Sequence, residues 1–320
     1  MKLISPVEKD GLTDEILRIC GTTSAVYSNY AMITRLNSAL DKYWFLASNA
    51  APKGTLDDTN QTSLPVETQN IVSGTNAYKI SSFTNEILQI LKLSILDEDA
   101  DEHDLTREEF DDIADFNELY STASADQGDP QYWTKMGDYI YLRPCPDYSE
   151  ANGLRAYANR ELSKFAWVPF TVTVASPGVF TATAHGLSGL DGLIFETDGA
   201  LPTGLTADTV VYYKITAGAT ADAFEVSTAY SLTGTAVNTS VSQSGNHKYT
   251  KTNKEPGIPV IHHPYLAKVA ALDFLIENKL PQMGSIAQLI AKEERDIADY
   301  WANRDRDLDT IIRTARRAYK

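Results

Sequence analysis

VTVASPGVFTATAHGLSGLDGLIFET, residues 172–197, sets short runs of Val, Phe, Ile and Thr between Pro177, Gly178, Gly186, Gly189 and Gly192. Branched and aromatic residues fit a pleated surface, and the Gly and Pro punctuation stops each run before a helical turn could repeat. The same texture continues through TVVYYKIT (209–216), AFEVSTAY (223–230) and HKYTK (247–251), with few basic residues. The stretch 171–250, about 80 residues by count, therefore reads as a compact all-β module of the barrel or sandwich type. WVPF precedes it and TNKEPGIPVIHH follows it, so the pattern is that of a module inserted into a scaffold.

Outward from the module, both ends of the chain read as helical. GLTDEILRICG has Thr13 as a capping candidate, Ile16, Leu17 and Ile19 on one segment, and Gly21 to end it. NYAMITRLNSALDKYWFLA spaces Ile33, Leu36, Leu40, Tyr43 and Trp44 three and four apart. Beyond Pro264, two further apolar-periodic segments run to the C-terminus and predict a helical hairpin around Pro281 and Gly284. Between the N-terminal helices and the module, NAYKI and ILQILKLSIL read as strands. Thr106 with Glu109 predicts the start of a helix carrying Phe110, Ile113 and Phe116. YWTKM, a turn at Gly137 and Asp138, YIYLR and then LRAYANREL predict a small antiparallel meander over 131–162. The expected fold class is α+β: an α-helical bundle scaffold with a small antiparallel sheet, plus the inserted all-β domain. The expected division is 1–165 with 251–320 as a discontinuous α-rich domain, and 171–250 as the insert.

Composition narrows the function. Lys and Arg number 28 against 43 Asp and Glu, for a formal charge of −15, which disfavours a protein that coats nucleic acid through its phosphates. No stretch approaches the roughly 20 apolar residues that span a bilayer. MKLISPVEKDGLTDE lacks a basic start followed by an apolar run, so a soluble, intracellularly made protein is expected. Cys20 and Cys145 have no CxxC partner and read as buried thiols.

No catalytic constellation, cofactor loop or metal set is expected. The Asp97–Asp104 run offers carboxylates without the spacing or turn glycine of a calcium loop, and a solvated acidic loop explains it more simply. His185, His247, His262 and His263 lack HExxH or HxH spacing; His262 and His263, being adjacent, would point apart in a strand. Ser242 and Ser244 in SQSG form no GxSxG elbow, and neither phosphate-loop pattern occurs. Two groups suit an interface instead. Tyr132, Trp133, Tyr139 and Tyr141 are amphipathic aromatics that serve a core or a subunit contact. Ile311 and Ile312 with Arg313, Arg316, Arg317 and Lys320 form an apolar and basic end, which caps a helix dipole or docks on an acidic partner.

The order of an N-terminal helical pair, GDPQYW (128–133), GDYIYLRPCPD (137–147), LRAYANRELSKF (154–165), NKEPGIPVIHHPYL (253–266) and a final helical pair resembles the head-to-tail connector or adaptor proteins of tailed bacteriophages, over roughly residues 1–165 and 251–320. The stretch 172–240 resembles a small β module that recurs in phage virion proteins, through His185, Gly186 and Leu187, the Leu201–Leu205 segment LPTGL, Tyr212 and Tyr213, and Phe224. The resemblance implies a virion protein of the neck, made in the host cytoplasm. It implies a homo-oligomeric ring, commonly of twelve subunits, that binds the portal protein and a tail, nozzle or second neck protein. DNA would pass through the channel without sequence-specific binding, and no membrane is involved. The C-terminal helix would lie against the portal, and Asp99, Asp101, Glu102 and Asp104 would be exposed, as acidic candidates for the channel wall. The alternative is a tail, baseplate or fibre-attachment protein whose β domain binds a partner protein or glycan; a virion cell-wall hydrolase would need convergent carboxylates or a metal site that no pattern supplies.

Overall fold

The computed structural model describes residues 1–6, 8–50, 66–109 and 121–309. The chain is an α+β protein with an α-helical bundle of four helices among the described residues, small antiparallel sheets and a near-closed seven-stranded antiparallel barrel. Its compact units are Lys53–Leu162 and Met1–Pro52 with Ser163–Lys320.

In the unit Lys53–Leu162, β1 (Val66–Ile71), β2 (Ala77–Lys79), β3 (Ile87–Leu96), β4 (Glu102–Asp104), β5 (Thr106–Arg107), β6 (Tyr132–Met136), β7 (Tyr139–Arg143) and β8 (Glu150–Arg160) form two four-stranded sheets, ordered β1-β8-β3-β4 and β2-β7-β6-β5. Gly137, at φ +57°, makes the β6–β7 turn with Asp138, a backbone conformation that favours glycine. The expected meander over 131–162 is corrected here: β8 leaves β7 and pairs between β1 and β3 in the other sheet. Its inner face, Leu154 and Ala156, buries against Leu93, Ile95 and Ile71, while Ile140, Leu142 and Trp133 add the second sheet to the same core. One inward ion pair is built into it. Arg160 reaches Glu67 at 2.9 Å, and Asn85 donates to the same carboxylate at 2.7 Å. Thr106 opens the strand β5, not a helix, because its N–H donates to Gln131 O beside β6; Phe110, Ile113 and Phe116 lie outside the described residues.

In the second unit, α1 (Leu12–Cys20), α2 (Asn29–Ala50), α3 (His263–Glu277) and α4 (Met283–Asp309) pack together from both ends of the chain. Thr13 does not cap α1. It is buried inside the helix, and the first N–H groups of Leu12 and Thr13 donate to the carbonyls of Lys2 and Leu3 instead. Gly21 ends α1 as expected, in the left-handed conformation at φ +64°. The bundle core is fixed by polar tips as well as apolar area. Trp301 Nε1 donates to the Tyr43 hydroxyl at 2.9 Å and Tyr27 donates to Ala270 O at 3.1 Å while its ring stacks on Phe274; at the solvent edge Arg35 bridges Asp273 and Glu277.

The barrel comprises β9 (Val168–Val172), β10 (Phe180–Thr181), β11 (Gly192–Thr197), β12 (Tyr212–Lys214), β13 (Ala223–Phe224), β14 (Val226–Ser227) and β15 (His247–Lys251), in the order β13-β10-β9-β15-β11-β12-β14. The two ends of that order, β13 and β14, are separated in the chain only by Glu225, which is why the sheet nearly closes. A file of rings fills it: Phe224, Phe180, Phe195 and Tyr212 stack in succession with centroids 5.0–5.3 Å apart.

A loop of the barrel caps a helix of the bundle. Asp208, at φ +62°, accepts the N–H groups of Asn29 and Tyr30, each at 3.1 Å, and so satisfies the first turn of α2. Asn29 Nδ2 returns a bond to the Asp208 carbonyl. Burial pushes the Asp208 carboxyl above its ordinary range, opposed by those two N–H bonds. Asp208→Ala removes both acceptors and strains the left-handed backbone, and should destabilise the unit by about 1–2 kcal/mol. Asp208→Asn keeps one acceptor and tolerates the backbone, so chemical denaturation should rank the stabilities wild type, Asn, Ala.

Candidate functional site

Strand alternation sorts the aromatic quartet. On β6 and β7, the register sets Tyr132 opposite Arg143, Trp133 opposite Leu142, and Thr134 opposite Tyr141. Trp133 therefore points into the core with Ile140 and Leu142 and is buried, which removes it from the chain's surface. Tyr132 and Tyr139 are each 40% exposed and Tyr141 is half-buried. The Tyr139 and Tyr141 rings lie 6.3 Å apart, and the Arg143 guanidinium sits over the Tyr132 ring at 5.2 Å. Glu108 holds Arg143 in that position at 2.6 Å. The result is a fixed aromatic and cationic surface of the kind enriched in protein interfaces. Sequence reading missed Arg143, although the period-two run Tyr139, Tyr141, Arg143 carries the signal.

The acidic run is an ordered hairpin. Asp97 accepts the N–H groups of Asp99 and Asp101, each at 2.9 Å, and shapes the turn between β3 and β4, with Ala100 at φ +61°. Asp99, Asp101, Glu102 and Asp104 are all exposed. Glu102 accepts from Ser94, Tyr157 and Arg155, bonds that hold its carboxyl below the usual range. Asp104 pairs with Lys92 at 2.6 Å, and Asp97 with His103 at 2.6 Å, a bond that raises the imidazole and lowers the carboxyl. Asp99 and Asp101 form no ion pair among the described residues. Ile311, Ile312, Arg313, Arg316 and Arg317 lie outside the described residues.

The histidines are spread through the structure. His185 receives the Leu187 N–H at Nδ1 and reaches Thr220 O through Nε2, closing its turn, and its ring edge meets Phe224. His247 Nδ1 lies 2.8 Å from the Thr197 hydroxyl. His262 and His263 occupy a short helical turn and the first position of α3, not a strand. His263 donates from Nε2 to Ile258 O at 3.0 Å, and His262 is wedged between the Tyr43 and Tyr300 rings at 5.6 and 5.0 Å. Among the described residues, no three His, Cys, Asp or Glu side chains are grouped to hold a metal ion. Cys20 and Cys145 are free and buried; burial pushes the Cys20 thiol up to about 11. Ser244 accepts the Ala200 N–H, a turn role. No described helix is long and apolar enough to cross a membrane.

No family model matches the chain, and no curated protein matches it.

Burial holds His262 below the usual histidine range, against the pull of Glu293. The folded state thus keeps the imidazole neutral where the unfolded chain, at about 6.5, takes up a proton. Stability from this residue is complete above pH 6.5 and is lost as pH falls below it. Thermal unfolding should show a melting temperature that drops between pH 7 and pH 5, and His262→Phe should drop less over the same interval.

Proposed function

We propose that the protein is a structural subunit of a tailed-phage neck: a ring, commonly of twelve copies, that joins the portal to the tail or the next neck component and lines the passage for DNA. The observation that carries this reading is the outward face of β6 and β7, where Tyr139 and Tyr141 share a face with Tyr132, whose ring lies under an Arg143 already held in place by Glu108. Tyr and Arg are enriched at the buried centre of interfaces, where they contribute large contact area and directed hydrogen bonds, and an Arg already fixed by a carboxylate has little further side-chain freedom to lose. A closed ring requires such a patch to meet a complementary one on the next copy. The charged tip at Asp99 and Asp101 suits a wall that repels phosphates, and the order of sequence segments resembling connector proteins supports the neck as the location. The work is assembly and passage rather than chemistry, with 171–250 as an insert on the α-rich scaffold and the apolar and basic residues 311–317 as the portal contact.

Sedimentation of the full chain with its portal protein tests the ring. One defined high-mass species is expected, and Tyr132→Ala with Tyr139→Ala should shift it to smaller species while circular dichroism stays unchanged. Electron microscopic reconstruction of the particle neck tests the location. Density for the chain between portal and tail is expected, and its recovery only at a distal fibre would reject the reading.

A further inference from the structure

A groove of about 770 Å³ runs over the barrel, formed by three segments: 168–171 of β9 as the floor, 181–183 as one wall and 243–247 as the other. Its volume lies in the range of small-molecule sites, about 300–1,000 Å³. Its lining contains no Asp, Glu, Lys or Arg. Burial holds His247, at one end, below the usual histidine range, so the groove is uncharged at neutral pH. A neighbouring cavity of about 520 Å³ differs in this respect, with Asp191, Lys251 and Lys254 in its lining.

The groove offers unspent hydroxyls and amides. Thr171 and Thr181 are cross-strand partners in the β9–β10 register, and Thr183 follows two residues on. All three are exposed, and their hydroxyls form no hydrogen bond with any described residue. On the opposite wall, Ser244 accepts the Ala200 N–H, so its hydroxyl proton is free to donate. Asn246 gives its Nδ2 to Asp198 and keeps Oδ1 as an acceptor. This wall is fixed in advance. Gln243 Nε2 donates to Val172 O at 2.7 Å, the Ala200–Ser244 bridge holds the next residue, and Gly245 turns at φ +83° where a side chain would strike Asp198 and Gly199.

An ionic ligand would find no counter-charge here, and desolvating it would go uncompensated. An extended peptide would find no free strand to join, because β9 is paired with β10 on one side and β15 on the other. Hydroxyls on both walls and the Asn246 amide on one, around the exposed Pro169 of the floor, instead match a molecule rich in neutral hydroxyls with apolar ring faces. We propose that this groove binds a neutral oligosaccharide. The site is separate from the β6–β7 surface, so it stands or falls independently of ring assembly.

The test is calorimetric titration of the full chain with neutral hexasaccharides, maltohexaose, chitohexaose and cellohexaose among a wider neutral panel, against an oligogalacturonate hexamer as the charged counterpart. Saturable binding of at least one neutral sugar is expected, with no binding of the oligogalacturonate. Thr171→Val with Thr181→Val removes two hydroxyls at constant shape and should weaken binding at least tenfold. Ser244→Ala, on the other wall, provides an independent variant and should weaken it severalfold. Absence of binding across the neutral panel, preference for the charged hexamer, or neutral binding left unchanged by both variants would overturn the proposal.

Discussion

The carboxylate of Asp208 at the N-terminus of α2 is the contact on which the unit of helices and barrel depends. A helix of 22 residues begins with N–H groups that its own turns cannot satisfy. Ser28 serves Ala31 locally, at 3.2 Å, but Asn29 and Tyr30 are served by a loop 178–179 residues away in sequence. That loop must hold Asp208 in a left-handed conformation to aim both oxygens at the helix. Once α2 is anchored at that end, its buried face presents Tyr43 to Trp301 on α4, and its solvent edge presents Arg35 to α3. Backbone bonds from Leu3 and Ile4 to Lys254 and Thr252 tie the exit of the barrel to the segment that caps α1. Barrel and bundle therefore share their terminating hydrogen bonds.

Features governed by neighbouring residues were legible in the sequence. Gly21 and Gly137 stood where a left-handed turn was needed, the apolar spacing of α2 marked its buried face, and the alternation of Phe, Val and Ile with Thr announced the barrel strands. The bundle from both chain ends and the β-rich centre followed from those patterns alone. Features set by distant partners were not legible. Nothing near Thr13 reveals that carbonyls of Lys2 and Leu3 reach its helix first. Nothing in LRAYANREL says that it will skip the adjacent β7 for β1 and β3; the choice is made by the fit of Leu154 and Ala156 against Leu93 and Ile95. The cap by Asp208 and the neutral groove over β9 both join residues dozens to hundreds apart, which periodicity cannot register. Of the aromatic quartet, the sequence identified the cluster, but only strand register separated the inward Trp133 from the outward Tyr132 and Tyr139.

The polar chemistry of the chain is largely committed to holding shape. His185 closes a turn, His263 ties α3 to the preceding loop, and Glu67 with Arg160 locks a sheet. Among the described residues, bonding capacity is left over at the surface in the carboxylates of Asp99 and Asp101 at the hairpin tip and in the threonines over β9.

The near-closure of the barrel through Glu225 has a consequence for a chain stored or assembled at high local concentration. A sheet with open sides exposes rows of N–H and C=O groups that template the addition of further strands from other molecules. Here the first and last strands of the order are consecutive in the chain, so the rows that would seed such growth are short. The barrel therefore offers little exposed backbone on which a further strand could add.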